Sequence, residues 1–206
     1  MPYDYLDIAA TPNVRAAQAA MGSDRLWTGR AINRESHRFT PQEVQFIGER
    51  DSFYIATVSE TGWPYVQHHG GPRGFLRVID DRTLAFADYS GNRQYISTGN
   101  LATDSRASLI LMDYAQRTRL KIYAHVEIVA PDAQPALAER VAVAPYKARI
   151  ERIFVLRLDA FDWNCPQHIT PRYTEAEIDA AVQPLRERLA QLEQENDALK
   201  RRLAAP

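Results

Sequence analysis

The stretch Ala87–Ile96, ADYSGNRQYI, contains the residue types that bind a phosphate group. A strand is predicted to end here, a short polar loop follows, and a helix is predicted to begin at Asn92 or Arg93. Exposed N–H groups at a helix start attract anions, and Gly91 allows the backbone to approach a ligand closely. Arg93 adds a guanidinium whose planar fork matches phosphate. An ordinary strand-to-helix turn with a surface arginine would have the same pattern.

Two further segments have residue patterns suited to a polar ligand. In residues 116–121, QRTRLK, strand alternation places Arg117, Arg119 and Lys121 on one face. Three neighbouring cations repel one another unless an anion or acidic residues compensate them; the alternative is a solvated outer face. In residues 64–72, PYVQHHGGP, paired glycines at a strand end indicate a bulge or a ligand lying against bare backbone. One ligand with a phosphate, a polyol and a polar ring would explain all three segments.

The signatures of several other catalytic classes are missing from the sequence. It has no G-x-S-x-G elbow, no Walker-type phosphate loop and no G-x-G-x-x-G dinucleotide fingerprint. The five histidines lack zinc-site spacing, and His68 and His69 point to opposite faces of a predicted strand, so we expect no metal site. The only cysteine, Cys165, lies near His168, a proximity that is more often incidental than catalytic.

The composition is that of an ordinary globular protein. The 206 residues are 45% hydrophobic and 25% charged, and 25 basic residues against 26 acidic ones leave a formal net charge of −1. This balance offers no basic surface, so we expect neither nucleic acid nor membrane as a partner. The single cysteine, together with the absence of a signal peptide or a long apolar run, favours a cytoplasmic location.

The middle of the chain has the pattern of an antiparallel sheet. Helices are predicted to begin at Thr40, which can form a capping box with Glu43, and to span residues 93–101 and 134–143. No regular alternation of strands and helices occurs, so a mainly β, α+β fold is predicted, either a small antiparallel barrel or a sandwich. The six or seven predicted strands span residues 52–58, 63–69, 75–79, 83–87, 106–112, 120–129 and 152–158.

Residues 174–206 are predicted to form one helix, which a capping box of Thr174 and Glu177 begins. Its apolar residues recur with the alternating spacings of a heptad repeat. One Asn at an a position, Asn196, is typical of a parallel two-stranded coiled coil. The a positions are Val182, Leu189, Asn196 and Leu203, and the d positions are Leu185, Leu192 and Leu199.

The flanking charges agree with a parallel homodimer. Arg188 would face Glu193 of the partner subunit, and Glu195 would face Lys200 of the partner subunit. The alternative is an amphipathic helix docked on its own barrel. Pro184 removes one hydrogen bond from the helix, so a kink or a restart is expected there. We predict a homodimer.

Three segments in the middle of the chain occur in a characteristic order and spacing: SFYIATVSETGWPYVQH, GFLRVIDDRTLAFADYSGNRQYISTGNL and RASLILMDYAQRTRLKIYAHVEIV. Together they resemble the FMN-binding split-barrel family of pyridoxamine 5′-phosphate oxidase, most closely its uncharacterised flavin-nucleotide-binding branch. The resemblance implies a homodimer of split antiparallel β-barrels with FMN in two clefts at the dimer interface. Residues 39–173 would be this barrel, between an arm with a short helix at 1–38 and the helix at 174–206.

The resemblance also implies roles for individual residues. Gln67 and Asn92 replace phosphate-contacting cations of the oxidase, whereas Arg93 keeps a positive charge. Arg119 falls on a residue that contacts the flavin from a facing strand. Lys121 or Arg119 would lie near the pyrimidine edge of the flavin. The other implied cofactor contacts are His68, His69, Gly70, Phe86, Ala87 and, contributed across the dimer, Trp163 and Arg172.

The departures from the oxidase bear on phosphate affinity and on the substrate. The uncharged Gln67 and Asn92 predict weaker phosphate binding, unless Arg73, Arg117 or Arg119 compensates. The oxidase's C-terminal substrate-binding block, rich in Arg and His, is replaced by NCPQHITPRY and the heptad helix, which argues against pyridoxamine phosphate as the substrate.

The resemblance favours an FMN-dependent oxidoreductase acting on a small molecule, with NAD(P)H as a candidate electron donor. His69, Tyr123 and His168 are the candidates for proton transfer or substrate contact. Two alternatives stay open. The protein could be a non-catalytic flavin-binding or sensing module, or the same barrel could hold a deazaflavin or a haem.

Overall fold

The structure is a computed structural model that describes residues 4–27, 36–144, 146, 148–163 and 166–204. These residues form two compact units. The first unit is drawn from Met1–Asp113 and Thr118–Gln167 and contains the sheet. The second is drawn from Tyr114–Arg117 and His168–Pro206 and contains a long helix.

One antiparallel sheet of seven strands forms the centre of the first unit. The strands are β1 (Ser52–Val58), β2 (Pro64–Gly70), β3 (Arg77–Asp80), β4 (Thr83–Tyr89), β5 (Arg106–Asp113), β6 (Thr118–Val129) and β7 (Ile150–Trp163). Their order across the sheet is β2-β1-β5-β6-β7-β4-β3. Strand β7 extends beyond the predicted 152–158, because Ala160–Trp163 continue the ladder with β6 after β4 has ended.

The sheet curls until its two ends face each other. His69 on β2 lies 5.0 Å from Phe86 on β4 and 6.2 Å from Phe154 on β7, measured between ring centroids. Phe53 on β1 lies 5.2 Å from Phe86 in the same way. Strands β2 and β4 are far apart in the strand order, so these contacts require a curved sheet with a core inside it. The predicted mainly β, split-barrel architecture is therefore confirmed.

Strand alternation divides the buried side chains into two groups. The inner group fills the barrel and includes Phe53, Phe86 and Phe154. A smaller group lies on the outer face of β4 and β7 and includes Ala87 and Ile153. Ala87 therefore packs outside the barrel, whereas its neighbour Phe86 packs inside it.

Seven helices are described: α1 (Tyr5–Ala9), α2 (Pro12–Ala20), α3 (Asp24–Trp27), α4 (Pro41–Gly48), α5 (Ile96–Thr103), α6 (Pro135–Val141) and α7 (Glu175–Ala204). Both predicted capping boxes are present. The backbone N–H of Thr40 donates to Glu43 at 2.9 Å, and that of Thr174 donates to Glu177 at 2.7 Å. Local side-chain chemistry sets these two helix starts.

The predicted start of α5 at Asn92 or Arg93 is wrong. The helix begins at Ile96, because Arg93 and Tyr95 have φ angles of 61° and 54°. Residues in this left-handed region cannot belong to a right-handed helix. The polar loop after β4 is consequently longer than the sequence pattern indicates, and Tyr95 becomes the N-cap.

Helix α7 makes up most of the second unit and spans 30 residues. It continues through Pro184, and none of its residues is buried. Before it, the Arg172 guanidinium lies 4.9 Å from the centre of the Tyr114 ring. Across the described part of the chain, no helix has both the length and the apolar character needed to cross a membrane.

Gly74 occupies a turn that excludes a side chain. Its φ is +76°, and a Cβ placed there would lie 2.9 Å from the carbonyl oxygen of Gly48. We expect Gly74→Ala to lower the free energy of unfolding by about 1–3 kcal/mol, measured by urea denaturation. Gly62→Ala is the matched control, since Gly62 also has a positive φ of +86° but no heavy atom within 4 Å of the built Cβ. Equal losses in the two variants would contradict a contribution from the Gly48 contact.

Candidate functional site

A polar cleft of about 200 Å³ opens in the first unit. Its walls are one face of β2, the loop after β4, the first turn of α5 and the beginning of β7. Five residues singled out from the sequence line it together: Gln67, His69, Gly91, Asn92 and Arg93. The tertiary structure therefore brings the 64–72 segment and the 87–96 segment into one site.

The loop after β4 presents Arg93 and leaves the start of α5 open. The Asn92 side chain accepts a hydrogen bond from the Gln94 N–H at 3.1 Å, and the exposed Arg93 donates from Nε to the Tyr95 hydroxyl at 3.4 Å. The N-cap residue Tyr95 makes no side-chain capping hydrogen bond. The N–H groups of the first turn therefore remain available to an anion, with the Arg93 guanidinium beside them.

Gln67 connects β2 to α5. The buried Ser97 hydroxyl donates to Gln67 Oε1 at 2.7 Å, which leaves the amide N–H₂ group as the donor end of that side chain. Deeper along the same helix, Asn100 donates to Thr57 on β1 at 3.0 Å. These two hydrogen bonds hold the start of α5 against β1 and β2, and so they set the position of the cleft wall.

His69 lies between the cleft and the aromatic core. Its ring stacks on Phe53 at a centroid distance of 5.5 Å and also contacts Phe86 and Phe154. Burial, with a smaller contribution from His68, lowers the pKa of His69 to about 4. Its Nε2 atom is buried and has no hydrogen-bond partner among the described residues. The imidazole is therefore neutral near pH 7, and its buried Nε2 retains an unused hydrogen-bonding capacity.

Arg152 at the beginning of β7 is a cleft residue that sequence reasoning missed. Its guanidinium donates to Asp88 at 3.0 Å, to Glu151 at 2.8 Å and to the Thr98 hydroxyl at 3.1 Å, and its side chain is only 16% exposed. Burial and the nearby Glu151 raise the pKa of Asp88, while Arg152 opposes that shift. The guanidinium also lies 4.5 Å from the centre of the Tyr95 ring.

A signal for this charged cluster does exist in the sequence. Asp88 follows the inward-facing Phe86 by two residues, and Arg152 precedes the inward-facing Phe154 by two. Period-two alternation puts both charges on the barrel's inner side, and the two residues are direct cross-strand partners. Finding that pairing from sequence alone requires the register between β4 and β7, which lie more than sixty residues apart.

Several residues predicted to contact a cofactor lie outside the cleft. His68 points to the opposite face of β2, where its ring lies 5.3 Å from that of Tyr54. Gly70 is the last residue of β2. Phe86 is fully buried beneath His69, and Ala87 packs against the outer group beside α6. Phe86 thus supports a cleft residue, while direct contact of these four residues with a cofactor stays a prediction.

The cations of β6 have a different environment from the cleft. Lys121 pairs with Asp162 at 2.9 Å and lies 4.5 Å from the centre of the Tyr5 ring, which in turn stacks on Tyr123 at 4.8 Å. Helix α1 therefore covers this part of β6. The predicted face of three cations is wrong in one respect, because Arg117 precedes the strand with a φ of 52°. Asp162 is the acidic partner that the pattern requires for Lys121. A cofactor contact of Lys121 or Arg119 stays a prediction.

The remaining predicted residues follow the end of β7 or belong to it. The Trp163 indole donates to Glu43 at 2.6 Å and packs edge-on against Phe46 at 4.7 Å. Arg172 and His168 belong to the second unit. Cys165 lies outside the described residues, so its proximity to His168 stays a prediction. Contacts of Trp163, Arg172 or His168 with a cofactor or substrate stay predictions.

No cluster of three or more His, Cys, Asp or Glu side chains that could hold a metal ion occurs within the described ranges. The cleft offers hydrogen-bonding groups and one exposed cation, with the Arg152, Asp88 and Glu151 cluster at its β7 end. It combines the open first turn of α5, an exposed arginine, an amide and a neutral imidazole. This set of donors suits a ligand that carries both an anionic group and a polar ring.

The fold and the cleft define a class of protein, a split antiparallel barrel with a polar cleft between strand β2 and the start of helix α5. The chain belongs to the pyridoxamine 5′-phosphate oxidase family. The sequence model of that family matches residues 39–165, which is more than half of the chain. The family resemblance found between Phe39 and Tyr173 is thereby confirmed.

Solved structures similar to this chain are distant in sequence. A candidate pyridoxamine 5′-phosphate oxidase from Lactobacillus delbrueckii is 19% identical, with a TM-score of 0.48 over 62% of this chain and 96% of that chain. An FMN-binding protein from Syntrophomonas wolfei is 15% identical, with a TM-score of 0.43 over 72% and 97%. An F420 reductase is 22% identical, with a TM-score of 0.42 over 60% and 98%. No curated protein matches the chain by sequence.

Proposed function

We propose that this protein binds FMN in the cleft and acts as an FMN-dependent oxidoreductase on a small molecule. The observation that carries the proposal is the pairing of two features in one cleft. The exposed Arg93 guanidinium lies beside the uncapped first turn of α5, and the buried Nε2 of His69 lacks a partner among the described residues. The first feature fits a phosphate and the second fits a polar ring.

The phosphate would be held at the α5 end of the cleft. Arg93 and the N–H groups of the first turn of α5 would bind its oxygens, and the Gln67 amide would contribute a further donor. Arg152 does not serve this purpose, because Asp88 and Glu151 already bind its guanidinium and together exceed its charge. The two carboxylates would repel a phosphate at that end, so they favour the Arg93 end.

The polar ring of the cofactor would lie toward His69. Its half-buried, neutral imidazole can donate or accept a hydrogen bond without adding a charge. The aromatic side chains of Phe53, Phe86 and Phe154 hold that imidazole in place and exclude water from its inner side. Bound FMN would supply the redox chemistry, while the protein positions the reactants and sets the electrostatics.

The proposal includes a homodimer and a nicotinamide electron donor. The family resemblance supports the dimer, since it assigns part of the cofactor site to Trp163 and Arg172 of the partner subunit. The cleft of one chain also has no cation other than Arg93 and the paired Arg152 among its described lining residues. A second subunit would therefore complete the set of groups around the cofactor.

Arg93→Met should weaken FMN binding at least about tenfold, because the variant loses a charge-assisted contact with the phosphate. Riboflavin, which lacks the phosphate, should bind the variant and the unmodified protein equally well. Both affinities can be measured by quenching of flavin fluorescence. Arg82→Met, at the exposed turn between β3 and β4, is the matched control and should leave both affinities unchanged. An equal loss for both flavins would contradict phosphate binding by Arg93.

Catalysis is tested separately from binding. The purified protein loaded with FMN should oxidise NADH or NADPH over many cycles when a panel of small acceptors is supplied. Stoichiometric reduction without turnover would identify a non-catalytic flavin-binding protein and would contradict the oxidoreductase proposal. For the protein as purified, before any FMN is added, the absorbance spectrum of the chromophore released on denaturation distinguishes FMN from a deazaflavin or a haem.

A further inference from the structure

Helix α7 carries an unpartnered apolar seam along its length. The d-position residues Leu185, Leu192 and Leu199 are 69%, 45% and 57% exposed, and the a-position residues Leu189 and Leu203 are 58% and 86% exposed. None of the residues of α7 is buried. A stripe of leucines in water on a helix of 30 residues is typical of a surface that is covered by another helix.

We propose that the seam binds a second copy of this chain, so that two α7 helices form a parallel, in-register coiled coil. The proposal is independent of the flavin site, because α7 lies in the second compact unit and the cleft lies in the first. Pro184 does not interrupt the pairing. It occupies a c position, which faces away from the seam, and the helix continues through it.

Charge complementarity identifies a second copy as the occupant. In a parallel pair, a g residue faces the e residue of the next heptad on the partner. Arg188 then faces Glu193 of the partner subunit, and Glu195 faces Lys200 of the partner subunit, with opposite charges in both cases. Both contacts occur twice in a symmetric dimer, so the helix is complementary to itself.

An antiparallel pair would satisfy the charges equally well. If Leu189 packed beside Leu192 of the partner subunit, Arg188 would face Glu195 of the partner subunit. In the same alignment, Arg186 would face Glu193 of the partner subunit. The charges alone therefore do not decide the direction of the two helices.

Asn196 decides between the two arrangements. In the parallel, in-register pair it faces Asn196 of the partner subunit, and the two amides can hydrogen bond to each other across the seam. In the antiparallel alignment it faces Leu185 of the partner subunit, which leaves a buried amide without a partner. A parallel pair shifted by one heptad would leave Asn196 against Leu189 or Leu203 of the partner subunit, with the same penalty. Only the in-register parallel pair satisfies the asparagine.

Disulfide cross-linking of the full-length chain tests whether the seams of two α7 helices face each other. In a Cys165→Ser background, which removes the only native cysteine, Leu199→Cys places a thiol at a d position. Gln194→Cys places one at the outward-facing f position and is the matched control. We expect Leu199→Cys to form a covalent dimer under mild oxidation at least about tenfold faster than Gln194→Cys, because only facing d positions are held within disulfide distance. Equal rates would overturn the proposal.

Charge reversal tests the direction of the helices with the same readout. Added to the Leu199→Cys chain, Arg188→Glu should slow cross-linking about two- to fivefold, because it places like charges opposite each other twice. Adding Glu193→Arg should restore the rate if the helices are parallel. Adding Glu195→Arg instead should leave the rate low, because in the parallel pair residue 195 faces Lys200 of the partner subunit and not residue 188. An antiparallel pair would place the two thiols at position 199 far apart, so restoration by Glu195→Arg and not by Glu193→Arg would overturn the parallel, in-register arrangement.

FMN binding by these variants separates this proposal from the flavin site. All the substituted α7 positions are exposed, so each variant should bind FMN as the unmodified chain does. Unchanged flavin affinity also shows that the variants are folded. A chain that cross-links at position 199 without binding FMN would contradict the proposed function alone. A chain that binds FMN but cross-links equally at positions 194 and 199 would contradict the coiled coil alone.

Discussion

Arg152→Met should lower the free energy of unfolding by about 3 kcal/mol, the lower end of the loss from removing one partner of a buried ion pair, because this cluster is half-buried. The substitution leaves Asp88 and Glu151 close together without their shared cation, and their side chains are only 19% and 18% exposed. It also removes the hydrogen bond to Thr98 and the contact with the Tyr95 ring. Urea denaturation at pH 7 measures the loss.

Neutralising the two carboxylates should recover most of this stability. In the triple variant Arg152→Met, Asp88→Asn, Glu151→Gln, no unpaired carboxylate remains beside residue 152. Arg106→Met is the matched control on the surface, since Arg106 is 74% exposed and pairs with neighbouring Asp104, and we expect little change there. A loss in the triple variant as large as in Arg152→Met would show that packing, and not charge, explains the effect.

The free energy of unfolding should fall by about 3 kcal/mol less between pH 7 and pH 4 in His69→Phe than in the unmodified chain. The folded-state pKa of His69 is about 4, against an ordinary value of 6.5. As the pH falls below 6.5, the unfolded chain binds a proton at His69 while the folded chain does not, so the folded state loses stability until the pH reaches about 4. A shift of this size corresponds to about 3 kcal/mol at pH 4. Phenylalanine does not titrate, so the variant lacks this contribution.

The measurement compares the free energy of unfolding at pH 7 and at pH 4, without flavin, for the two chains. Other titrating groups, including the half-buried Asp88, are common to both chains, so their contributions cancel in the difference. His68→Gln is the control on the opposite face of the same strand and should retain most of the acid-induced loss. If the unmodified chain and His69→Phe lose stability equally between the two pH values, the burial of His69 does not suppress its protonation.

The elements that were predicted most accurately depend on contacts within a few residues. Strand β1 has the predicted bounds of 52–58, because alternation of apolar and polar side chains is a local pattern. The capping boxes at Thr40 and Thr174 are also local, since three residues separate the partners. The same applies to His68 and His69, whose opposite orientations follow from strand geometry alone.

The errors occur where distant parts of the chain determine the conformation. The left-handed backbone at Arg93 and Tyr95 moves the start of α5 to Ile96. The Tyr95 ring packs against Arg152, a residue more than fifty positions away. Arg117 leaves the predicted strand face because it belongs to the turn before β6. The packing of Ala87 beside α6, on the outer side of the sheet, is likewise a long-range feature that local sequence does not specify, while its cofactor contact stays a prediction.

By itself, the amino-acid sequence determined the strands, the capped helices, the heptad seam and the family, because hydrophobic period, capping chemistry and motif order are all local properties of the chain. The tertiary structure decided which of those residues share a cleft. Gln67, His69 and Arg93 meet only because the sheet curls and α5 packs against β2. Arg152 meets Asp88 only through the register of β4 and β7. Such registers depend on the packing of the whole core, which no short stretch of sequence specifies.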